Sequence, residues 1–255
     1  MKKTIAVIIA LVCMLSVFSA HAEDYTSMTL DELTEKRQEL MDELTQINAV
    51  RGSLIRQQVN AGVTADETLG KIIDIFPDEE LAIMIRDSCG KISIEQPVTQ
   101  SDLDRVDMLT CVFNDIHDFT GIRYLRNLWY FHTDDHYDGV FPDELRYCQS
   151  LTSLYITDNP NITVIPDWID ELTNLETIEF YQDNITQLPD SICNLSKLQS
   201  LDVSRNEGLS KLPDNIGNLT NLQRLVISYT AITGLPDSTW NLSLSYFGAD
   251  GLPIR

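Results

Sequence analysis

From residue 106 onward, large apolar side chains return along the chain at a nearly constant interval. Residues 198–221, LQSLDVSRNEGLSKLPDNIGNLTN, show the unit most clearly. Leu198, Leu201 and Val203 fit L-x-x-L-x-L, and Asn206 follows three residues after Val203. Leu209, Leu212, Pro213, Ile216 and Leu219 come next, and Leu222 restarts the pattern. Strict alternation at Leu201 and Val203 is the two-residue period of a strand. Aligned on the first apolar residue, the units begin at Val106, Leu128, Leu151, Leu175, Leu198, Leu222 and Leu244, at spacings of 22, 23, 24, 23, 24 and 22. A period of about 20–29 residues predicts one strand plus one return segment per unit, stacked on the unit before it.

The register assigns each strand residue to a face. Inward positions are Leu109 and Cys111, Phe131 and Thr133, Leu154 and Ile156, Ile178 and Phe180, Leu201 and Val203, Leu225 and Ile227, Phe247 and Ala249. Strands about 4.8 Å apart stack these into apolar columns. Asn114, Asn159 and Asn206 follow the strands, where a side-chain amide can satisfy backbone groups as the chain turns. His136, Asp183 and Thr230 replace asparagine in other units.

The N-terminal part reads differently. Thr29-x-x-Glu32 is a capping box opening a helix to about Val59, with Leu33, Leu40, Ile47 and Leu54 seven residues apart. Its companion seam, Leu30, Arg37, Leu44, Arg51, is half polar. An amphipathic helix packed on its own protein is favoured over a dimerising coil. Thr64-x-x-Glu67 suggests a short helix, and Ile72, Ile73, Ile75 and Phe76 a short strand. Pro77-Asp78 opens a helix with Leu81, Ile85 and Cys89 on its buried side and Gly90 as its stop. Thr99-x-x-Asp102 begins another turn. A stack of repeats needs its first open face covered. The expected division is a leader at 1–22, a helical segment at 23–70, a cap at 71–105 and about seven repeats over 106–255.

The repeat signature is that of a leucine-rich repeat. FPDEELAIMIRDSCGK, followed by VTQSDLDRVDMLTCVFNDIHDFTGIRYLRNL, resembles the N-terminal cap and first repeats of secreted bacterial leucine-rich-repeat proteins of the internalin-like kind. Asp118-Phe119-Thr120-Gly121-Ile122-x-Tyr124-Leu125 carries much of that resemblance. Later repeats with Leu-Pro-Asp and Asn-Leu-x-x-Leu are similar to the plant-type repeat. The resemblance implies an α/β leucine-rich-repeat solenoid, a horseshoe with a parallel concave sheet. It also implies a secreted or surface protein that binds a partner on that sheet, with no catalytic residues.

Met1-Lys2-Lys3, an apolar run from Ile5 to Phe18 and Ala20-His21-Ala22 have the form of a secretory signal peptide cleaved near Ala22. The run is short for a bilayer span, which needs roughly 20 residues. No membrane insertion is expected after cleavage. Lys2 and Lys3 leave with the leader, taking the net charge from −21 to −23. Such acidity repels nucleic acid and anionic membranes. Cys89, Cys111, Cys148 and Cys193 remain. In an exported protein an even count invites disulfides. Three of the four fall where the pattern buries a residue, so separate buried thiols are favoured.

Outward strand positions place candidate binding residues on the concave face: Tyr130, His132, Asp134, Tyr155, Glu179, Tyr181, Asp202, Arg224 and Tyr246. Tyr130, Tyr155 and Tyr181 fall on adjacent strands, and exposed tyrosines suit interfaces. Tyrosines also simply favour strands. His132, Asp134 and His136 match neither H-E-x-x-H nor a calcium loop, so no metal is expected. Pro142-Asp143, Pro166-Asp167, Pro189-Asp190, Pro213-Asp214 and Pro236-Asp237 align, with the aspartates expected to cap helical turns. No nucleophile motif, phosphate loop or dinucleotide fingerprint is present, and no cofactor or catalysis is expected. The expected partner is a protein or peptide. A glycan, or self-association through residues 29–59, is the alternative.

Overall fold

The computed structural model describes residues 67–112, 116–134 and 141–252. The leader, the helix at 29–59, the turn at 64–67 apart from Glu67, and positions Asn114 and His136 lie outside them.

The described chain opens with strand β1 (Thr68–Lys71), which pairs antiparallel with β2 (Pro97–Thr99). Residues 67–70 therefore end the expected helical segment with extended chain. The isoleucine run that suggested a strand instead forms one helical turn, α1 (Ile72–Ile75). Ile72 and Phe76 are fully buried, and a four-residue spacing puts both on one side of a helical turn. A strand would have put the exposed Asp74 on the same face as the buried Ile72 and Phe76.

Helix α2 (Glu79–Ser88) begins at Asp78, whose Oδ1 accepts from the Leu81 N–H at 3.0 Å. Leu81, Ala82 and Ile85 are buried, and Gly90 takes a left-handed φ of 68° beyond the helix end. The other oxygen of Asp78 accepts from the His117 and Asp118 N–H groups at 2.8 and 3.2 Å. One carboxylate thus caps a helix and ties the cap to the first repeat. Helix α3 (Gln100–Leu103) has the full capping box between Thr99 and Asp102. Asp102 also meets Lys91 at 2.8 Å. Burial pushes its carboxyl up, but the Lys91 and Thr99 hydrogen bonds outweigh that and hold it below the usual range.

Strands β3 (Met108–Cys111), β4 (Tyr130–Asp134), β5 (Ser153–Thr157), β6 (Thr177–Tyr181), β7 (Ser200–Asp202), β8 (Arg224–Val226) and β9 (Tyr246–Gly248) form one parallel sheet in sequence order. Short 3-10 turns such as Asp143–Tyr147 and Asp167–Glu171 return the chain on the far side. The fold is an α/β leucine-rich-repeat solenoid.

Inward columns from Leu109 to Ile227 are essentially inaccessible to solvent. Each fully buried Leu, Ile or Phe side chain stabilises by about 1.5–3 kcal/mol, which makes these columns the dominant force holding the rungs together. Among the described residues the last strand of the sheet is β9. Phe247, expected inside, is 42% exposed; among the described residues a strand, β8, pairs with β9 on one side only. Cys89, Cys111, Cys148 and Cys193 are separate buried thiols. The Cys148 Sγ donates to the Ile122 carbonyl at 3.4 Å, and burial pushes its thiol up to about 12.

Two local devices shape the turns off the strands. Asn206 is fully buried; its Nδ2 donates to the Phe180 and Val203 carbonyls at 2.7 and 3.0 Å, and its Oδ1 accepts from the Ile185 N–H at 3.0 Å. Just before the ladder positions, Asp158, Gln182, Arg205 and Tyr229 all adopt φ of 56–58°. Left-handed backbone is uncommon for residues with a side chain beyond Cβ. Here each N–H is held by a carbonyl of the next rung: Tyr181, Ser204, Ser228 and Asp250. At the return turns proline, not aspartate, takes the cap position of four of the five Pro-Asp pairs, and none of the five turns has a side-chain cap bond. In those four turns the aspartate sits one residue past the cap position, whereas Asp214 falls one residue before the cap, Asn215; all five contribute charge near the turn start.

Candidate binding face

Every sequence-predicted site residue lies on the strand faces that point away from the core, in a parallel register that sets which ones meet. His132 lies opposite Tyr155, Tyr155 opposite Glu179, and Glu179 opposite Asp202. Tyr130 lies opposite Ser153, and Tyr181 opposite Thr157. The three tyrosines therefore step diagonally across the sheet.

Two of them meet. The Tyr130 and Tyr155 rings are 5.2 Å apart, with the His132 ring 5.6 Å from Tyr155. Trp129, just before β4, adds an edge contact to Tyr130 at 5.6 Å. Aromatic pairs at such separations attract beyond their simple burial. The His132 Nε2 lies 3.4 Å from Thr157 Oγ1, and burial pulls its imidazole down to about 4. His132 is therefore uncharged at neutral pH. Burial, with Glu179 nearby, pushes the Tyr130 and Tyr155 hydroxyls up.

Tyr181 belongs to a second group. The Arg205 guanidinium sits over Tyr181 at 5.6 Å and over Tyr229 at 5.3 Å. Arg205 and Tyr229 were not among the expected site residues. Both occupy the left-handed column of Asp158, Gln182, Arg205 and Tyr229, whose unlike side chains carry no shared sequence signal.

Asp202 departs from its expected role. It is 9% exposed, folded down to accept from the Ser204 N–H at 3.0 Å and lying 3.3 Å from the Arg224 guanidinium. Arg224 also lies over the Tyr246 ring at 4.5 Å. Asp202, Arg224 and Tyr246 thus satisfy one another. Glu179 stays half-buried; burial and the facing Asp202 raise its carboxyl, with Arg224 opposing. Asp134 is half-buried at the end of β4. Among the described residues, no three His, Cys, Asp or Glu side chains converge as metal ligands, and no helix is long and apolar enough to cross a membrane.

A family model described as leucine-rich repeat region matches residues 103–230, half of the chain, and one described as bacterial adhesion/invasion protein N terminal matches residues 59–104. Among solved structures, an internalin (InlF) from Listeria monocytogenes is 30% identical with a TM-score of 0.57 over 73% of this chain and 60% of that one. The chain therefore spans less than two thirds of that relative. A Listeria monocytogenes internalin-like protein is 22% identical with a TM-score of 0.57, over 75% of this chain and 59% of its own. A Leptospira interrogans leucine-rich-repeat protein is 23% identical with a TM-score of 0.53, over 60% of this chain and 40% of its own. At these lower identities the likeness is of fold. With repeats, cap and sheet all in register, the chain belongs to the leucine-rich-repeat family as an internalin-like member.

Proposed function

We propose that this chain is exported by its N-terminal leader and binds a protein or peptide ligand through the concave sheet, without catalysis. The observation that carries this reading is the contact of Tyr130, His132 and Tyr155, whose half-buried rings lie on the open side of β4 and β5. Large, stiff side chains with polar tips supply contact area at little entropic cost. Their placement on neighbouring strands suits a partner held across several rungs. The adhesion and invasion description of the matched N-terminal family points to the same class of role. Export would begin the mature chain at Glu23, which N-terminal sequencing of the protein collected outside the cell would detect.

The binding test is a pull-down from the producer's surroundings, with residues 23–255 as bait beside a Tyr130/Tyr155/Tyr181 triple alanine. A partner held by the first and lost by the second supports the concave site. Equal retention by both moves the site to residues 29–59 or to the outer side.

A further inference from the structure

On the same face, tyrosines and arginines are repeatedly paired. Arg205 lies between Tyr181 and Tyr229, and Arg224 covers Tyr246. Tyr130 and Tyr155 differ: among the described residues no arginine or lysine lies over either ring. Beside them Glu179 projects from the neighbouring strand, directly opposite Tyr155. The cation acting on Glu179 is Arg224, and that guanidinium is already engaged by Asp202 at 3.3 Å. Glu179 thus sets a carboxyl beside the Tyr155 ring, and among the described residues the cation nearest to it is committed to Asp202.

The geometry points to a subsite for a basic side chain of the partner, an arginine held by the Tyr130 and Tyr155 rings and the Glu179 carboxylate. This rests on the concave-face reading and specifies what that face selects. A guanidinium stacks on an aromatic ring while its edge donates to a carboxylate. The contacts of Arg205 and Arg224 with tyrosine rings, at 4.5–5.6 Å, show the geometry this side of the sheet accepts. The uncharged His132 ring adds a wall without repelling a cation. The chain's net charge of −21 steers a basic segment toward it. Lysine, a compact charge with stronger hydration, fits less well.

The test is an NMR titration of the exported chain, residues 23–255, reading the Tyr130, His132 and Tyr155 ring signals. The probes are acetyl-Gly-Arg-Gly-amide and its citrulline counterpart, which keeps the shape and removes the charge. The arginine peptide should shift all three rings, and the citrulline peptide should bind on the order of tenfold more weakly. E179Q should weaken the arginine peptide by a similar factor. E176Q removes a carboxylate from an exposed position just before the same strand and should leave binding unchanged. Equal binding of the two peptides, an E179Q chain that binds as before, or an equal loss in E176Q would overturn the subsite. A natural partner lost by the triple alanine yet kept by E179Q would overturn it while leaving the concave site standing. A partner kept by the triple alanine would instead remove the concave site itself.

Discussion

Asn159 donates its backbone N–H to the Oδ1 of Asp183 across 2.8 Å, while Asp183 Oδ2 is buried with no hydrogen-bond partner. Asp183 occupies the ladder position that Asn206 fills one rung later. There Asn206 offers an NH2 group to backbone carbonyls. A carboxylate has nothing to donate, so an ionised Asp183 faces acceptors. Burial accordingly raises its carboxyl to about 8.

The sign of the pH effect follows. The folded value lies above the ordinary 3.8, so the protonated acid's share of stability is complete below about pH 4 and is lost as pH rises through 8. Urea unfolding of the wild type should show falling stability from pH 5 to 9. D183N supplies the missing donor and should flatten that slope, with a gain of about 1–2 kcal/mol at pH 9. N206D should create a similar slope at the next rung. A D183N chain as pH-sensitive as the wild type would refute this account of the ladder.

Gly121 binds the cap to the first repeat by having no side chain. Its φ is 100°, and a Cβ there would lie 2.3 Å from the Ile75 carbonyl oxygen and 2.7 Å from a Phe76 ring carbon. Both strain and overlap oppose any larger residue. G121A should cost about 3 kcal/mol or more, measured by the shift in urea midpoint. G90A, beyond the end of α2, has open space around its Cβ and carries only the left-handed strain, so it should cost clearly less. Equal costs would mean that the close approach contributes nothing.

His132 should titrate near 4 rather than near its ordinary 6.5, because burial disfavours the imidazolium. Its folded value is depressed, so the stability tied to the neutral ring is present above about pH 6.5 and is lost as pH falls through 4. Ring proton shifts followed from pH 3 to 8 would give the midpoint directly. Between pH 5.5 and 7.5 partner affinity should not change through His132. A midpoint above 6 would place the ring in water.

The columns were legible in the sequence because a buried strand leaves a period of two inside a longer fixed spacing. Leu201, Val203, Leu225 and Ile227 all follow it and all are fully buried. The asparagine ladder was legible for the same reason. The run from Ile72 to Phe76 was not, since a short apolar stretch has no period long enough to separate a turn from a strand. The burial of Asp202 was not legible because alternation assigns a face but not a rotamer. A hydroxyl two residues on, at Ser204, and the guanidinium of Arg224 draw it down. The left-handed column was hidden because its residues, Asp158, Gln182, Arg205 and Tyr229, have nothing chemical in common. Inter-rung hydrogen bonds impose that backbone from outside.

The diagonal step of the tyrosines makes a last distinction that side-chain identity alone does not. Tyr130 and Tyr155 are in ring contact at 5.2 Å, whereas Tyr181 stacks with Arg205 instead. Residues in contact couple energetically, and separated ones add. In a double-mutant cycle on unfolding stability, Y130A and Y155A should couple by about 0.5–1.5 kcal/mol. Y130A and Y181A should be additive within about 0.5 kcal/mol. Y181A and R205A should couple again, by about 0.5–1 kcal/mol, as an exposed cation–ring contact does. The same division should carry into partner binding. Losing Tyr155 removes half of a joined surface, while losing Tyr181 releases Arg205 from one of its two rings and leaves Tyr229 to hold it. Strong coupling between Tyr130 and Tyr181 would show instead that the two aromatic groups act as one surface.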